Sequence, residues 1–337
     1  MMMAMSLPSS QRLQQAGARL GVHAGVDIGG TKIAVCLAPA SSTVDAPSLL
    51  TRLSLPTEKT GAPDAIARQV LHMLDITCQQ QGLTSGELKA VGVAACGPFV
   101  RRAGMIELAN PNICGGLAVA SHRLGNDWTH APLEAPLTNA LGKDRVQLGN
   151  DAAAALQAER RWGALRGTQD CAYVTWSTGI GVGLCVDGRI LRGKNGNAGH
   201  AGHSFVADVA GGTPTCGCGN QGDVESLIAG GGLAQRLGQT APELLNAATA
   251  GETAALGKVR ELCGLMGRLL FNLVTTLDLQ RISLGGSVFL HHQGLLLPLL
   301  RSEFIRYFPV MTEGVELVPA GLGHKVGDYA ALALLEE

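Results

Sequence analysis

Two stretches of the chain share one local plan: residues 22–37 read VHAGVDIGGTKIAVCL and residues 172–190 read AYVTWSTGIGVGLCVDGRI. Each is a pair of β-rich apolar runs hinged on a glycine-bearing turn, the pattern of a β-hairpin. With 337 residues, 46% of them hydrophobic, the chain can bury a large core and has the length of two domains or lobes. One hairpin heads each half, so a duplicated α/β fold is implied.

In the first turn, Asp27 interrupts the strand just before Gly29-Gly30-Thr31, where a purely structural design would place an apolar residue. The glycines let the backbone approach a phosphate and present its N–H groups. Asp27 can hold a magnesium ion through water, and Lys32 supplies positive charge. The same residues also fit a plain hairpin with a surface aspartate; neither a Walker motif nor GxGxxG is present. The second turn, Ser177-Thr178-Gly179-Ile180-Gly181, offers the hydroxyls and glycines of a second phosphate loop. Two such hairpins are what the actin, hexokinase and sugar-kinase architecture requires, with ATP held between the lobes.

Between the hairpins, residues 38–60 read as a loop ending in a short strand, 52–55. Residues 64–81 read as a helix with an apolar stripe, and 88–96 as a buried strand leaving through Gly97-Pro98. The loop LANPNICGG, residues 108–116, brings Asn112, whose amide can donate and accept to sugar hydroxyls or simply serve a turn. Residues 122–144 read as a helix and loop leading to a strand, 145–148, with the lobe boundary beside it. Asn150 caps a helix, DAAAALQAERRW, closed by Gly163, so Asp151 sits in its first turn and can point into a cleft at the strand end. Capping alone also explains an aspartate there. Residues 258–279 read as a long Leu-rich helix, 281–284 as a buried strand, and 326–335 as a closing helix returning to the first lobe.

Residues 196–225, GNAGHAGHSFVADVAGGTPTCGCGNQGDVE, put two histidines, two cysteines and an acid pair into a glycine-rich run that no ordinary helix or strand would span. A metal is the first candidate to hold it. The other seven of the nine cysteines lie singly, as reduced thiols do in the cytoplasm. The net charge of −1 gives no case for nucleic acid or an anionic membrane. The N-terminal residues lack a signal peptide's apolar core, and the apolar run at 295–300 is too short to span a bilayer. The expectation is a cytoplasmic protein.

Taken in order, these motifs resemble the ROK family (repressors, open reading frames and kinases), and the likeness runs from Gly25 to Ala333. DIGGTK matches its first phosphate loop, Asn150-Asp151 its catalytic pair, STGIGVG its second phosphate loop, and CGCGNQGDVE its zinc segment. The LGGS of residues 284–287, with Gly285 and Gly286, matches the glycines beside the adenosine. The resemblance implies a two-lobed, ribonuclease H-like fold and transfer of the γ-phosphoryl group of ATP, with Mg2+, to a hexose 6-hydroxyl. Asp151 would be the base, and Asp27, Gly29, Gly30, Thr31, Lys32, Ser177, Thr178 and Gly179 would hold phosphate. Asn112, Asn150, His200, His203 and Glu225 would hold the sugar. A homodimer is implied as well. The lobes are expected at 22–145, joined by the helix 326–337, and at 146–325, after a disordered leader, 1–21.

Two departures stand out. His200 replaces the family's usual glutamate; AGH-x-GH, NPNICGG and VTWSTGIG resemble the bacterial N-acetylmannosamine kinase branch, which serves sialic acid catabolism. The alternatives are a glucokinase or N-acetylglucosamine kinase, or, from other classes, a sugar-responsive repressor or a non-catalytic sugar-binding protein. A leader of about twenty residues is too short for the repressors' helix-turn-helix. Asp223 replaces the third zinc cysteine. His203, Cys216, Cys218 and Asp223 still make a legitimate structural Zn2+ set. The alternatives are His200, His203, Cys216 and Cys218, or no metal.

Overall fold

The computed structural model describes residues 21–40, 45–119, 124–207 and 214–336. The leader expected at 1–21 lies, except for Gly21, outside the described residues, as do residues 122 and 123 of the connecting segment, residues 208–213 of the glycine-rich stretch and the last residue of the expected 326–337 helix. Strands β1 (Val22–Ile28) and β2 (Lys32–Pro39) form the first hairpin, with Ile28 opposite Ile33. From Ile33 to Ala38, β2 is buried on both faces, which is why it reads as a continuous apolar run. Strand β3 (Thr51–Pro56) extends the hairpin antiparallel, and the helix Ala65–Gln79 crosses back to β4 (Ala90–Ala95), which runs parallel to β1. That helix buries Ile66, Val70 and Leu74 of the apolar stripe expected from Ile66, Val70, Leu71, Leu74 and Ile76; Met73 joins them, and Leu71 and Ile76 are half-buried.

Strands β5 (Phe99–Arg102), β6 (Met105–Leu108) and β7 (Ala131–Pro132) make a small antiparallel sheet beside the exit of β4. The β5–β6 pair is absent from the sequence reading, because Arg101 and Arg102 break its apolar alternation. Strand β8 (Val146–Asn150) pairs parallel with β4. It therefore closes the first sheet, in the order β3-β2-β1-β4-β8, rather than opening the second lobe as a boundary at 145 expects.

After the helix Asp151–Trp162 the plan repeats. Strands β9 (Cys171–Trp176), β10 (Ile180–Val186) and β11 (Arg189–Ile190) run antiparallel; β12 (Arg281–Gly285) and β13 (Glu316–Pro319) add parallel to β9. The order is β11-β10-β9-β12-β13, the same pattern of directions as the first sheet. The sequence echo between the hairpins is thus a repeat of whole lobes, and the architecture is a two-lobed, actin-like α/β fold. Helices absent from the sequence reading, including Gly230–Leu237, Ala241–Thr249 and Gln293–Phe304, cover the second sheet with the long helix Thr253–Leu277. No helix among the described residues is long and apolar enough to cross a membrane. All nine cysteines are free thiols.

The closing helix Val326–Ala333 lies across β1 and β4, where glycines let it in. A Cβ on Gly92 would overlap the Ala331 carbonyl, and one on Gly25 would lie 3.1 Å from Leu332. Gly92→Ala should therefore push the helix off the sheet and destabilise the chain by about 1–3 kcal/mol. A urea midpoint equal to that of the parent would show that the approach is not close.

Candidate active site

Strand ends from both sheets build the cleft. The first loop is tied by the Gly29 N–H to the Lys32 carbonyl (3.0 Å) and by the Thr57 hydroxyl to the Gly29 carbonyl (2.7 Å). Gly30 has no room for a side chain beside Asn112: a Cβ there would stand 3.0 Å from the Asn112 Cβ. The loop predicted to read sugar hydroxyls thus abuts the first glycine turn. In the second loop, Ser177 donates its N–H to the Gly179 carbonyl at 3.0 Å. Gly230 and Gly231 donate theirs to the Ser177 and Thr178 carbonyls at 2.8 and 3.0 Å. These two glycines do not figure among the sequence-predicted site residues, although the run Gly230-Gly231-Gly232 opening a helix is the signal that could have found them. Gly286, at φ +86°, backs onto the Trp176 main chain, and Ser287 Oγ lies 3.2 Å from Ser177 Oγ. The strand-end glycines and the second loop therefore meet.

Asn150 caps the helix Asp151–Trp162, its Oδ1 accepting from the Ala152 and Ala153 N–H groups at 3.0 and 3.2 Å. Its amide nitrogen donates to Asp151 Oδ1 at 3.0 Å, and the Ala152 N–H reaches the same oxygen at 2.8 Å. Asp151 is oriented from both sides. Burial, and then the charge of Asp27, raise its pKa to about 7, against those hydrogen bonds. Asp27 is raised to about 6 by burial and by Asp328, opposed by Lys32 and Arg52. Arg52 grips Asp328 through both carboxylate oxygens at 2.8 and 2.9 Å. Two buried carboxylates held above their ordinary range, one raised further by the charge of the other, suit a divalent cation at Asp27 and a proton acceptor at Asp151.

His200 and Asn150 converge on Gly97: a Cβ there would stand 2.5 Å from His200 Nε2 and 3.4 Å from Asn150 Nδ2. His200 Nδ1 lies 3.0 Å from the Asn197 carbonyl, which can only accept, so Nδ1 carries the proton and Nε2 is an acceptor. Burial lowers the pKa of His200, which keeps the ring neutral. Asn197, absent from the sequence reading, also clamps Phe99: its Oδ1 accepts from the Phe99 N–H (2.7 Å) and its Nδ2 donates to the Phe99 carbonyl (2.8 Å). Glu225 Oε2 accepts from the Ile180 N–H at 2.8 Å, joining the end of the glycine-rich stretch to the second phosphate loop.

His203, Cys216, Cys218 and Asp223 come together, each offering one ligand atom within 4.8 Å of the others. His203 Nδ1 lies 3.1 Å from Asp223 Oδ2 and 3.7 Å from Cys216 Sγ, and Cys218 Sγ lies 3.6 Å from Asp223 Oδ2. Ligands about 2.0–2.3 Å from a tetrahedral zinc stand roughly 3.3–3.8 Å apart, so the spacing and the N, S and O donors fit zinc. His200 is outside this group, which removes the set that drew it into the metal site. Asp223 also serves the backbone, since its Oδ1 accepts from the Ser226 N–H at 2.9 Å and caps the helix Val224–Ile228. Among the described residues of the stretch, three, Ala201–His203, form a 3-10 turn before that helix.

The two matched sheets, the paired glycine loops and the aspartate between them define an ATP-dependent sugar kinase. The chain belongs to the ROK family, whose model matches residues 23–337. It is 34% identical to an N-acetylmannosamine kinase of Citrobacter koseri over 78% of this chain and 82% of that protein. It is 31% identical to a glucokinase of Aeropyrum pernix over 75% and 81%. Among solved structures it is similar to a ROK hexokinase from Thermus thermophilus, at 31% identity and a TM-score of 0.72 over 93% of this chain and 97% of that one. A ROK family glucokinase from Streptomyces griseus, in complex with glucose and AMPPNP, follows at 26% and 0.66 over 92% and 98%.

Elemental analysis should find about one zinc per chain, and Asp223→Ser, which keeps a capping oxygen but loses the ligand, should lower zinc affinity about 10–100-fold. Undiminished zinc retention in that variant would remove Asp223 from the ligand set.

Proposed function

We propose that the protein phosphorylates the 6-hydroxyl of N-acetylmannosamine with ATP, giving N-acetylmannosamine 6-phosphate. The observation that carries this reading is His200. It stands where most ROK kinases have a glutamate, yet its fixed tautomer presents one neutral acceptor, Nε2, beside Gly97 and Asn150. A neutral acceptor on a flat ring suits a different substituent from the one a carboxylate selects. The Citrobacter koseri relative supports the same substrate. The glucokinases at 31% and 26% identity support glucose as the second reading.

In this mechanism Asp151 aligns the sugar hydroxyl and accepts its proton late in a loose transition state. Asn150 and the Ala152 N–H hold its carboxylate in place. The backbone N–H groups of Gly30, Thr31, Thr178 and Gly179 face the phosphates, with Lys32, on loops closed by the Gly29 and Ser177 N–H groups, while Gly285 and Gly286 border the adenosine. Asp27 would hold magnesium, which when bound neutralises phosphate charge. Asn112, His203 and Glu225 contact the sugar. Zinc on His203, Cys216, Cys218 and Asp223 would be structural, setting His203 and, through the helix it caps, Glu225. A cytoplasmic homodimer is part of the proposal; Ile305, Phe308 and Val310, close in sequence and exposed at 65%, 60% and 73%, are apolar side chains available to it.

A coupled ADP-release assay with N-acetylmannosamine, N-acetylglucosamine, glucose and fructose should give the highest kcat/KM for the first. Glucose turning over fastest would sink the assignment. His200→Glu should move the N-acetylmannosamine-to-glucose ratio of kcat/KM about tenfold or more toward glucose. Because the Asp151 carboxyl is raised to about 7, it holds its proton below that pH and cannot act as base. Log kcat/KM should therefore climb from about pH 5.5 and level off above about 7.5. A profile flat across that range would contradict the environment assigned to Asp151.

A further inference from the structure

Alongside the helix Asp151–Trp162 run two adjoining cavities of about 190 and 370 Å3, which share Gln157, Ile190 and Arg192. They follow one stripe of the helix, from Asn150 through Ala153 and Gln157 to Arg160; Asp151 does not line either. The inner chamber is walled by Phe99, Ile106, Leu148 and Ile190. Arg101 stands at the inner chamber, and Arg160 and Arg189 at the outer. Among the described residues, no carboxylate lines either cavity. Arg101 donates to the Gly104 carbonyl (2.8 Å), and Arg160 to the Gly188 (3.1 Å) and Thr168 (3.4 Å) carbonyls. Those partners orient the guanidinium groups without neutralising them.

We propose that these cavities form a second binding site, for a small organic phosphate, coupled to the sugar site. Guanidinium forks match phosphate oxygens bidentately, and with Arg101 on the inner cavity, Arg160 and Arg189 on the adjoining outer one and no carboxylate in either lining, the potential along the two is positive. The inner volume sets the size of the organic part, since an apolar cavity of ~150 Å3 holds a single benzene ring. A single ring or short chain therefore enters between Phe99 and Ile190, with its phosphate left among the arginines.

The coupling follows from what forms the wall. Phe99 and Gly196 line the inner chamber, and a Cβ on Gly196 would stand 3.3 Å from the Phe99 ring. Asn197, the next residue, clamps the Phe99 main chain and accepts from His200 Nδ1. A body that presses on Phe99 moves the clamp that aims His200. This inference depends on the sugar-kinase activity but not on which sugar is used.

Calorimetric titration of the whole protein with phenyl phosphate tests the site, with sugar and Mg·ADP present to fill the reaction cleft. Binding with Kd below ~1 mM, weakened about tenfold or more by Arg101→Gln combined with Arg189→Gln, is the expected result. Inorganic phosphate, lacking the ring, and benzoate, lacking the phosphate, should each bind at least ~5-fold more weakly. No binding up to ~10 mM, or equal affinity in the double variant, overturns the site; inorganic phosphate binding as tightly as phenyl phosphate overturns the organic ligand class. Both substituted arginines are exposed and lie outside the reaction cleft, so basal turnover should be unchanged. Saturating phenyl phosphate should shift the sugar KM about threefold or more in the parent and not in the double variant. An unmoved KM in the parent overturns the coupling.

Discussion

The seating of one helix, Asp151–Trp162, is the constraint on which the rest depends. It follows the last strand of the first sheet and lies against the hairpin of the second. The approach is close because both sides are stripped of bulk: Ala152 would stand 3.2 Å from a Cβ at Gly181, and Leu156 would stand 2.6 Å from one at Gly183. The alanine run is thus as much a packing requirement as a helix propensity. The far end is held by Glu159, a fully buried carboxylate that accepts from the N–H groups of Ala164 (2.7 Å), Gly321 (2.9 Å) and Leu322 (2.8 Å). Anchored so, the helix fixes its first turn, and with it Asp151, between two glycine loops that come from different sheets.

The glycine-rich stretch solves a different problem, which is to hold polar side chains rigidly without regular structure. Asp223 does so with both carboxylate oxygens, one capping a short helix and one turned toward His203 and Cys218. A cysteine at this position would bind zinc as a softer ligand but cap less well, because thiols accept hydrogen bonds weakly. The departure from the family pattern is therefore an exchange of one holding force for another. His200 and His203, three residues apart, separate by environment: one donates to a main-chain carbonyl and faces the cleft, the other faces the thiols and the carboxylate.

Much of this is legible in the chain. Both hairpins, the cap at Asn150 and the cysteine pair announce themselves through local chemistry: glycine at turns, aspartate where an apolar residue belongs, ligand types at short spacing. What stays hidden depends on contacts distant in sequence. Nothing around residues 145–150 reveals which sheet β8 joins, because a parallel strand takes its partner from across the fold. Asn197 reads as one more loop asparagine until Phe99, 98 positions earlier, is brought against it. The arginines at 101, 160 and 189 likewise read as scattered surface charge, and come to line two adjoining cavities only in the folded chain.

In the proposed mechanism Asp151 acts through its position at the helix start, and one paired measurement tests that directly. For Asp151→Asn, which keeps the shape and the neutral hydrogen bonds, turnover and sugar affinity are measured on the same preparation. The expected result is a fall in kcat of about 10²–10⁴-fold with the sugar Kd changed by less than about threefold. Turnover within a few-fold of the parent would contradict it, since the proton would then be leaving by another route.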